Sequence, residues 1–310
     1  MIPARQPLKL GAVACALTLA LTGAALYGCG SNTAVLSAAV VDGSEPAPVA
    51  ETGEGTERAG APRRIISLDY CADQYVVGLV ERDRILRVSP DATEQYSWVR
   101  DEARGLPSVH PRAEDVLILQ PDLVVRFYGG GPNARTFLER AGVRVLQVPY
   151  VSTIADARRN LLELSAALGV AQRGQRLASL MDRRLAAIEP PPLPVEALYM
   201  TPSGVSAGSG TLINEMMQTA GLRNFQREPG WHPLPLERLA YERPGLLALA
   251  FFDTKTNHAD AWSPSAHPVA RRQLRELPSV SLDSAWVSCG GWFLVEAVEA
   301  LAAAGREAVR

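Results

Sequence analysis

Two glutamates occupy matched positions in two halves of the chain. Glu114-Asp115-Val116-Leu117 leads, seven residues after the Glu, to Pro121-Asp122-Leu123-Val124-Val125. Glu237-Arg238-Leu239-Ala240 leads, again seven residues on, to Pro244-Gly245-Leu246-Leu247-Ala248. Each acid falls in the opening turn of a short helix with a proline just upstream (Pro111, Pro235). The helix dipole favours an acid there, which explains either Glu alone but not the echo. A second set of residues suits recognition of a large, flat or greasy molecule. The tryptophans Trp98, Trp231, Trp262, Trp286 and Trp292 fall at the ends of predicted elements, in a chain that is only 6% aromatic. Rings at element ends offer stacking surface, or else plug the edges of a core. Arg126 could pair with an anionic group, or stand as a solvated charge at a strand end.

Other chemistries find less support. His110, His232, His258 and His267 are scattered, and neither H-E-x-x-H nor a G-x-S-x-G elbow occurs. His232, His258, Asp260 and His267 all lie in the second half without metal-ligand spacing, which argues against a bare metal-ion receptor. Gly208-Ser209-Gly210, ahead of a helical Thr211–Ala220, lacks the Gly-Lys-Ser/Thr ending of a phosphate loop. The sequence therefore predicts no catalytic residues, no bound metal and no cofactor. A net charge of −2, with 31 basic against 33 acidic residues, gives no basic stripe for nucleic acid.

The elements that must carry these residues follow from hydrophobic pattern. From Arg63 onward, short aliphatic runs alternate with helical stretches, the sign of a parallel α/β sheet. Strands are predicted at 64–68, 85–88, 123–127 and 143–148, with helices at 72–80, 112–119 and 133–141. A second series begins at 196–200 and continues through 246–252. Between the series, 153–188 keeps leucines at helical spacing, with Gly169 and Gly174 suggesting one helix ending and another starting. Pro190-Pro191-Pro192 stops the second. The reading is an N-terminal α/β lobe over 63–150, a helical bridge over 151–192 and a C-terminal α/β lobe over 193–310.

Ahead of the lobes lies an address. Arg5 and Lys9 precede an uncharged run from Leu10 to Leu26, and the next basic residue is Arg58. That charge bias sends the following chain outward across a membrane. The run ends Leu26-Tyr27-Gly28-Cys29, which resembles a bacterial lipobox, with Tyr27 bulkier than usual at its position. Residues 1–29 thus read as a signal ending at a lipidated Cys29. A cleaved signal without lipid and an uncleaved anchor stay open, and all three place the rest of the chain outside the cytoplasm. Residues 30–62 are small and polar with scattered Pro and Gly, a tether spanning roughly 30 Å as a random coil. Cys71 and Cys289 are the thiols left after export. A disulfide, two buried thiols, and a metal- or cobalt-contacting role all remain open for them.

Taken together, the run Arg64-Ile65-Ile66-Ser67-Leu68-Asp69-Tyr70-Cys71-Ala72-Asp73-Gln74, the 114–125 block and the Gly129-Gly130-Gly131 loop resemble the substrate-binding proteins of bacterial ABC importers. The matching branch takes ferric siderophores, haem or cobalamin, and the resemblance covers 63–304. It implies two parallel-sheet α/β lobes bridged by one long helix, with ligand in the cleft between them and modest lobe movement. It implies a monomeric periplasmic receptor without enzymatic activity, delivering a small-molecule metal chelate to an ABC permease. In the family, one Glu on each lobe meets an Arg cluster of the permease, and Glu114 and Glu237 match those positions. Ligands of parallel α/β lobes sit on loops beyond the strands' carboxyl ends. That selects Tyr70, Arg126, Tyr128, Tyr96 with Trp98, Trp231 and Trp262 as ligand contacts. A ferric siderophore is expected ahead of a corrinoid or haem, because Arg126 and the many other arginines suit anionic chelates.

Overall fold

The computed structural model describes residues 60–252 and 260–310. The export segment with Cys29, the tether as far as residue 59, and His258 lie outside the described residues.

The first lobe strings together β1 (Ile65–Ser67), α1 (Tyr70–Leu79), β2 (Ile85–Arg87), α2 (Ala113–Leu117), β3 (Leu123–Arg126), α3 (Ala134–Arg140) and β4 (Arg144–Gln147). Its four strands pair in the order β2-β1-β3-β4, every pair parallel. Strands that are apolar at consecutive positions, such as Leu123-Val124-Val125, need cover on both faces. The side chains divide by period two. Ile65, Leu123 and Val125 enter one core with Tyr75 and Val76 of α1. Ile66 and Val124 enter a second with Val116 of α2 and Leu138 of α3.

Two helices then lead to the second lobe, α4 (Ile154–Ala167) and α5 (Ala171–Ala186). A capping box of Thr153 and Asp156 starts α4. Gly169, at φ +73°, reverses the chain after it. The bridge is therefore a hairpin of 14- and 16-residue helices rather than one continuous rod. Gly174 plays a different part from the helix boundary its type suggests. It sits inside α5, where an added Cβ would lie 1.9 Å from Ser165 Oγ, so it permits α4 and α5 to approach.

The second lobe continues with β5 (Val195–Met200), β6 (Val205–Ala207), α6 (Leu212–Thr219), β7 (Leu222–Asn224), β8 (Trp231–Pro233), α7 (Leu236–Tyr241), β9 (Leu246–Ala250), α8 (Pro268–Glu276), β10 (Ser279–Leu282), α9 (Ser284–Val287) and α10 (Leu294–Glu307). Its main sheet is again four parallel strands, β10-β9-β5-β7, while β6 and β8 form an antiparallel ribbon. Ala197, Tyr199 and Ala248 face α6 and α10, and Leu198, Met200 and Leu247 face α7 and α8.

The hairpin belongs to both lobes, which is what stiffens the junction. Leu161 and Leu164 of α4, Leu168 at its C-cap and Ala178 of α5 complete the first lobe's core. Ala157 of α4 and Met181 of α5 complete the second lobe's. Arg184 of α5 pairs with Glu296 at 2.8 Å and Glu299 at 2.6 Å on α10, and these two carboxylates push its guanidinium pKa up. Swinging one lobe alone would peel the hairpin from a packed interior.

Asp73 of α1 is wholly buried and accepts hydrogen bonds from Ser67 Oγ, Ser89 Oγ and the Ser89 N–H. Burial pushes its carboxyl up to about 6, against the lowering effect of those bonds. A raised folded value means the folded chain holds this proton more tightly than the unfolded chain. Its stabilisation is present below the ordinary carboxylate value and is lost as pH rises through about 6. Denaturant titrations should show wild type losing about 3 kcal/mol relative to Asp73→Asn between pH 4 and pH 7. A constant difference across that window would contradict the assignment.

Candidate functional site

Asp69 organises the mouth of the first lobe. Its Oδ1 accepts the Ala72 N–H at 2.9 Å, capping α1. Its Oδ2 accepts three consecutive N–H groups after β3, from Phe127 (2.7 Å), Tyr128 (3.1 Å) and Gly129 (2.9 Å). One buried carboxylate thus ties the loop after β1 to the loop after β3. Gly129 is required there, since a Cβ would fall 2.3 Å from Leu68 O.

This arrangement gathers three phenols. The Tyr70 ring lies 4.8 Å from Tyr96 and 6.2 Å from Tyr128, in edge-on contacts. Burial, then the charge of Asp69 and of Asp91, push the Tyr70 hydroxyl up. Burial with Asp91 and Glu94 pushes Tyr96 up to about 12, and burial with Tyr70 and Asp69 pushes Tyr128 up as well. All three are neutral phenols at physiological pH. A metal ion bound to one of their oxygens would have to displace its proton.

A solvent-open crevice of about 130 Å³ runs between the lobes; none of the three phenols lines it, and Tyr128 approaches it through Phe127, whose ring is 6.0 Å away. The first lobe lends Tyr75, Phe127, Val148 and Tyr150, and the second lends Leu212, Ile213, Trp231 and Val287. None of its lining side chains is charged. Cys71, in the first turn of α1, is bonded to Cys289, ahead of α10, with Cα atoms 5.6 Å apart, and both line the crevice. Tyr75 Oη donates to Gly290 O at 3.2 Å and Ser288 Oγ to Tyr96 O at 2.8 Å, adding two more cross-lobe ties.

The residues singled out from sequence divide accordingly. Tyr70, Tyr96 and Tyr128 come together, but none of them is a crevice-lining residue. Trp231 reaches the crevice from the β6–β8 ribbon, half exposed, with Tyr199 beneath it at 6.1 Å. Trp262 is 93% exposed and is not one of the crevice-lining residues. Trp98 stacks on Phe293 at 5.2 Å and faces a groove between α5 and α10, a packing position rather than a crevice wall. Arg126 is also placed differently from expectation. It is buried, and donates through Nε to Gly129 O, through Nη2 to Gly131 O and through Nη1 to Gln147 Oε1. Its guanidinium braces the glycine loop, because Gly130 and Gly131, both at φ +79°, curl that loop back over it. His232 bonds Pro229 O and His267 caps α8, so both imidazoles are engaged. Glu114 and Glu237 are exposed on α2 and α7, and neither carboxylate has a side-chain partner among the described residues.

Missing from the sequence reading were Asp69 as organiser and the aliphatic wall. Tyr150 could have been found, because it follows β4 at the carboxyl edge of the sheet, where ligands of such folds sit.

A crevice between two α/β lobes, walled by apolar side chains and braced by a shared hairpin, defines a solute-binding protein. The sequence pattern of the periplasmic binding proteins matches residues 65–250, and the chain belongs to that family. Its members are extracytoplasmic transport proteins, not enzymes; they bind small-molecule chelates and deliver them to ABC permeases. The fold is similar to the apo periplasmic heme-binding protein RhuT from Roseiflexus sp. RS-1. There the TM-score is 0.61 and the identity 22%, over 80% of this chain and 99% of that one. It is also similar to the periplasmic vitamin B12 binding protein BtuF of Vibrio cholerae (TM-score 0.55, 18% identity, 81% and 99% covered). A third likeness is an ABC-type Fe3+-hydroxamate transport protein from Saccharomonospora viridis (TM-score 0.58, 19% identity, 79% and 93% covered). No curated protein matches the chain.

Proposed function

We propose that the protein is the receptor of an ABC importer whose cargo is ferric haem, ahead of a ferric siderophore or a corrinoid. The observation that carries this reading is the uncharged aromatic and aliphatic crevice, with three phenols gathered beyond its Phe127 wall. A siderophore that fills all six positions of iron leaves none for a protein oxygen. Haem presents a broad apolar face and an axial position that a tyrosine can fill.

In this reading one of Tyr70, Tyr96 and Tyr128 supplies the axial oxygen, Trp231 and Phe127 cover the ring, and no bond of the cargo is broken. Cys29 carries the lipid anchor, residues 30–62 form the tether, and the protein acts as a monomer. Glu114 and Glu237 meet cationic side chains of the permease.

Absorbance titration with ferric haem tests this. The Soret band should shift and saturate at one equivalent, and Trp231 fluorescence should be quenched. One of Tyr70→Phe, Tyr96→Phe and Tyr128→Phe should abolish the bound spectrum. Phenolate ligation releases a proton, so affinity should rise with pH, up to about tenfold per unit. Saturable binding of a ferric hydroxamate with no response to haem would replace haem by the siderophore.

A further inference from the structure

Helices α2 and α7 share more than an acid. In α2, Glu114 is exposed and Val116 two residues on is 0% exposed, and Ile118, the residue that caps the helix in αR conformation four places on, is 82% exposed. In α7, Glu237 is exposed, Leu239 is 1% exposed, and Tyr241 is 91% exposed. Helix geometry explains the pattern. A residue two places on points to the opposite side, and one four places on returns to the same side. Each helix is thus pinned to its lobe by a buried residue, and presents an unpaired carboxylate with a large apolar side chain one turn beyond. Single exposed apolar residues are ordinary. Two that keep the same offset from an unpaired acid, in both lobes, are a repeated surface device.

We infer that Ile118 and Tyr241 are the apolar anchors of the contact with the permease, each seated in an apolar hollow beside the cation that meets the neighbouring Glu. This rests on the reading of the chain as a permease's receptor and deepens it. Charge complementarity selects the occupant, because a carboxylate without a partner beside an apolar side chain calls for a cation flanking a greasy recess. The two parts divide the work. Rim charges steer encounter and set salt dependence, while a desolvated anchor holds the complex and sets dissociation. Arg238, adjacent to Glu237, does not compete for it. Its guanidinium lies 3.7 Å over the Phe225 ring and is paired with Glu242 at 2.7 Å.

The test is surface plasmon resonance between the full-length protein and its host's ABC permease in lipid nanodiscs, at low and high salt. Melting curves serve as the control for folding. Ile118→Ala with Tyr241→Ala should weaken binding at least tenfold through faster dissociation, with association and salt dependence little changed. Glu114→Gln with Glu237→Gln should instead slow association and flatten the salt dependence. If the Gln pair shows its effect and the Ala pair binds like wild type, the anchors are refuted while the receptor reading stands. If wild-type protein binds no permease, the receptor reading falls and takes the anchors with it. If sedimentation shows wild type dimeric and the Ala pair monomeric, the apolar pair belongs to self-association, and the inference is overturned.

Discussion

Serine at both Cys71 and Cys289 is expected to lower the stability of the folded protein by about 5 kcal/mol, the entropy of closing so long a loop in the unfolded chain. The bond joins residues 218 apart in sequence. For a domain of this size that corresponds to a fall in Tm of roughly 10–20 °C. The half-cystines are buried against Phe293, with Tyr70, Trp98 and Phe127 around them, so the variant also loosens the wall where the lobes meet. The ties from Tyr75 to Gly290 and from Ser288 to Tyr96 remain. The variant should therefore fold at low temperature and fail early on heating. Reduced wild-type protein should melt with it. A Tm within two or three degrees of the oxidised protein would show that the bond closes no entropy worth counting.

Reversing both acids proposed to meet the permease, Glu114→Arg with Glu237→Arg, is expected to reduce cargo uptake by roughly a hundredfold or more, since like charges brought face to face cost several kcal/mol and each 1.4 kcal/mol is tenfold. Affinity for ferric haem should stay within about twofold of wild type. Both side chains are exposed and belong to α2 and α7, apart from the crevice-lining residues. Uptake into cells or proteoliposomes, measured beside haem titration of the same variant, reads both quantities. A matching loss of affinity would move these residues from the docking surface into the fold or the site.

Much of the architecture was legible because local pattern and tertiary role agree. Ile65-Ile66 and Leu123-Val124-Val125 are apolar at consecutive positions and are buried on both faces of a parallel sheet. The repeated Glu-to-Pro spacing marked α2 with β3 and α7 with β9, and both pairs are present. The site was less legible, for physical reasons. Val148, Leu212, Ile213 and Val287 line the crevice, yet an aliphatic side chain beside a cleft has the same local signature as one in a core. Arg126 follows an apolar strand and reads as a free charge, until Gly130 and Gly131 bend carbonyls back toward it. Trp98 ends in a stack on Phe293, nearly two hundred residues away, a contact that no periodicity encodes. Gly174 reads as a helix boundary because close helix packing and helix termination both call for the smallest residue.

The account stands on cargo held whole between two lobes. Native mass spectrometry of the full-length protein, incubated with an equimolar mixture of ferric haem, cobalamin and a ferric hydroxamate, tests that directly. The expected species carries one intact haem, released unaltered on denaturation, and the Trp231→Ala variant should retain much less of it. Protein that emerges with none of the three, or with bare iron alone, would contradict the account.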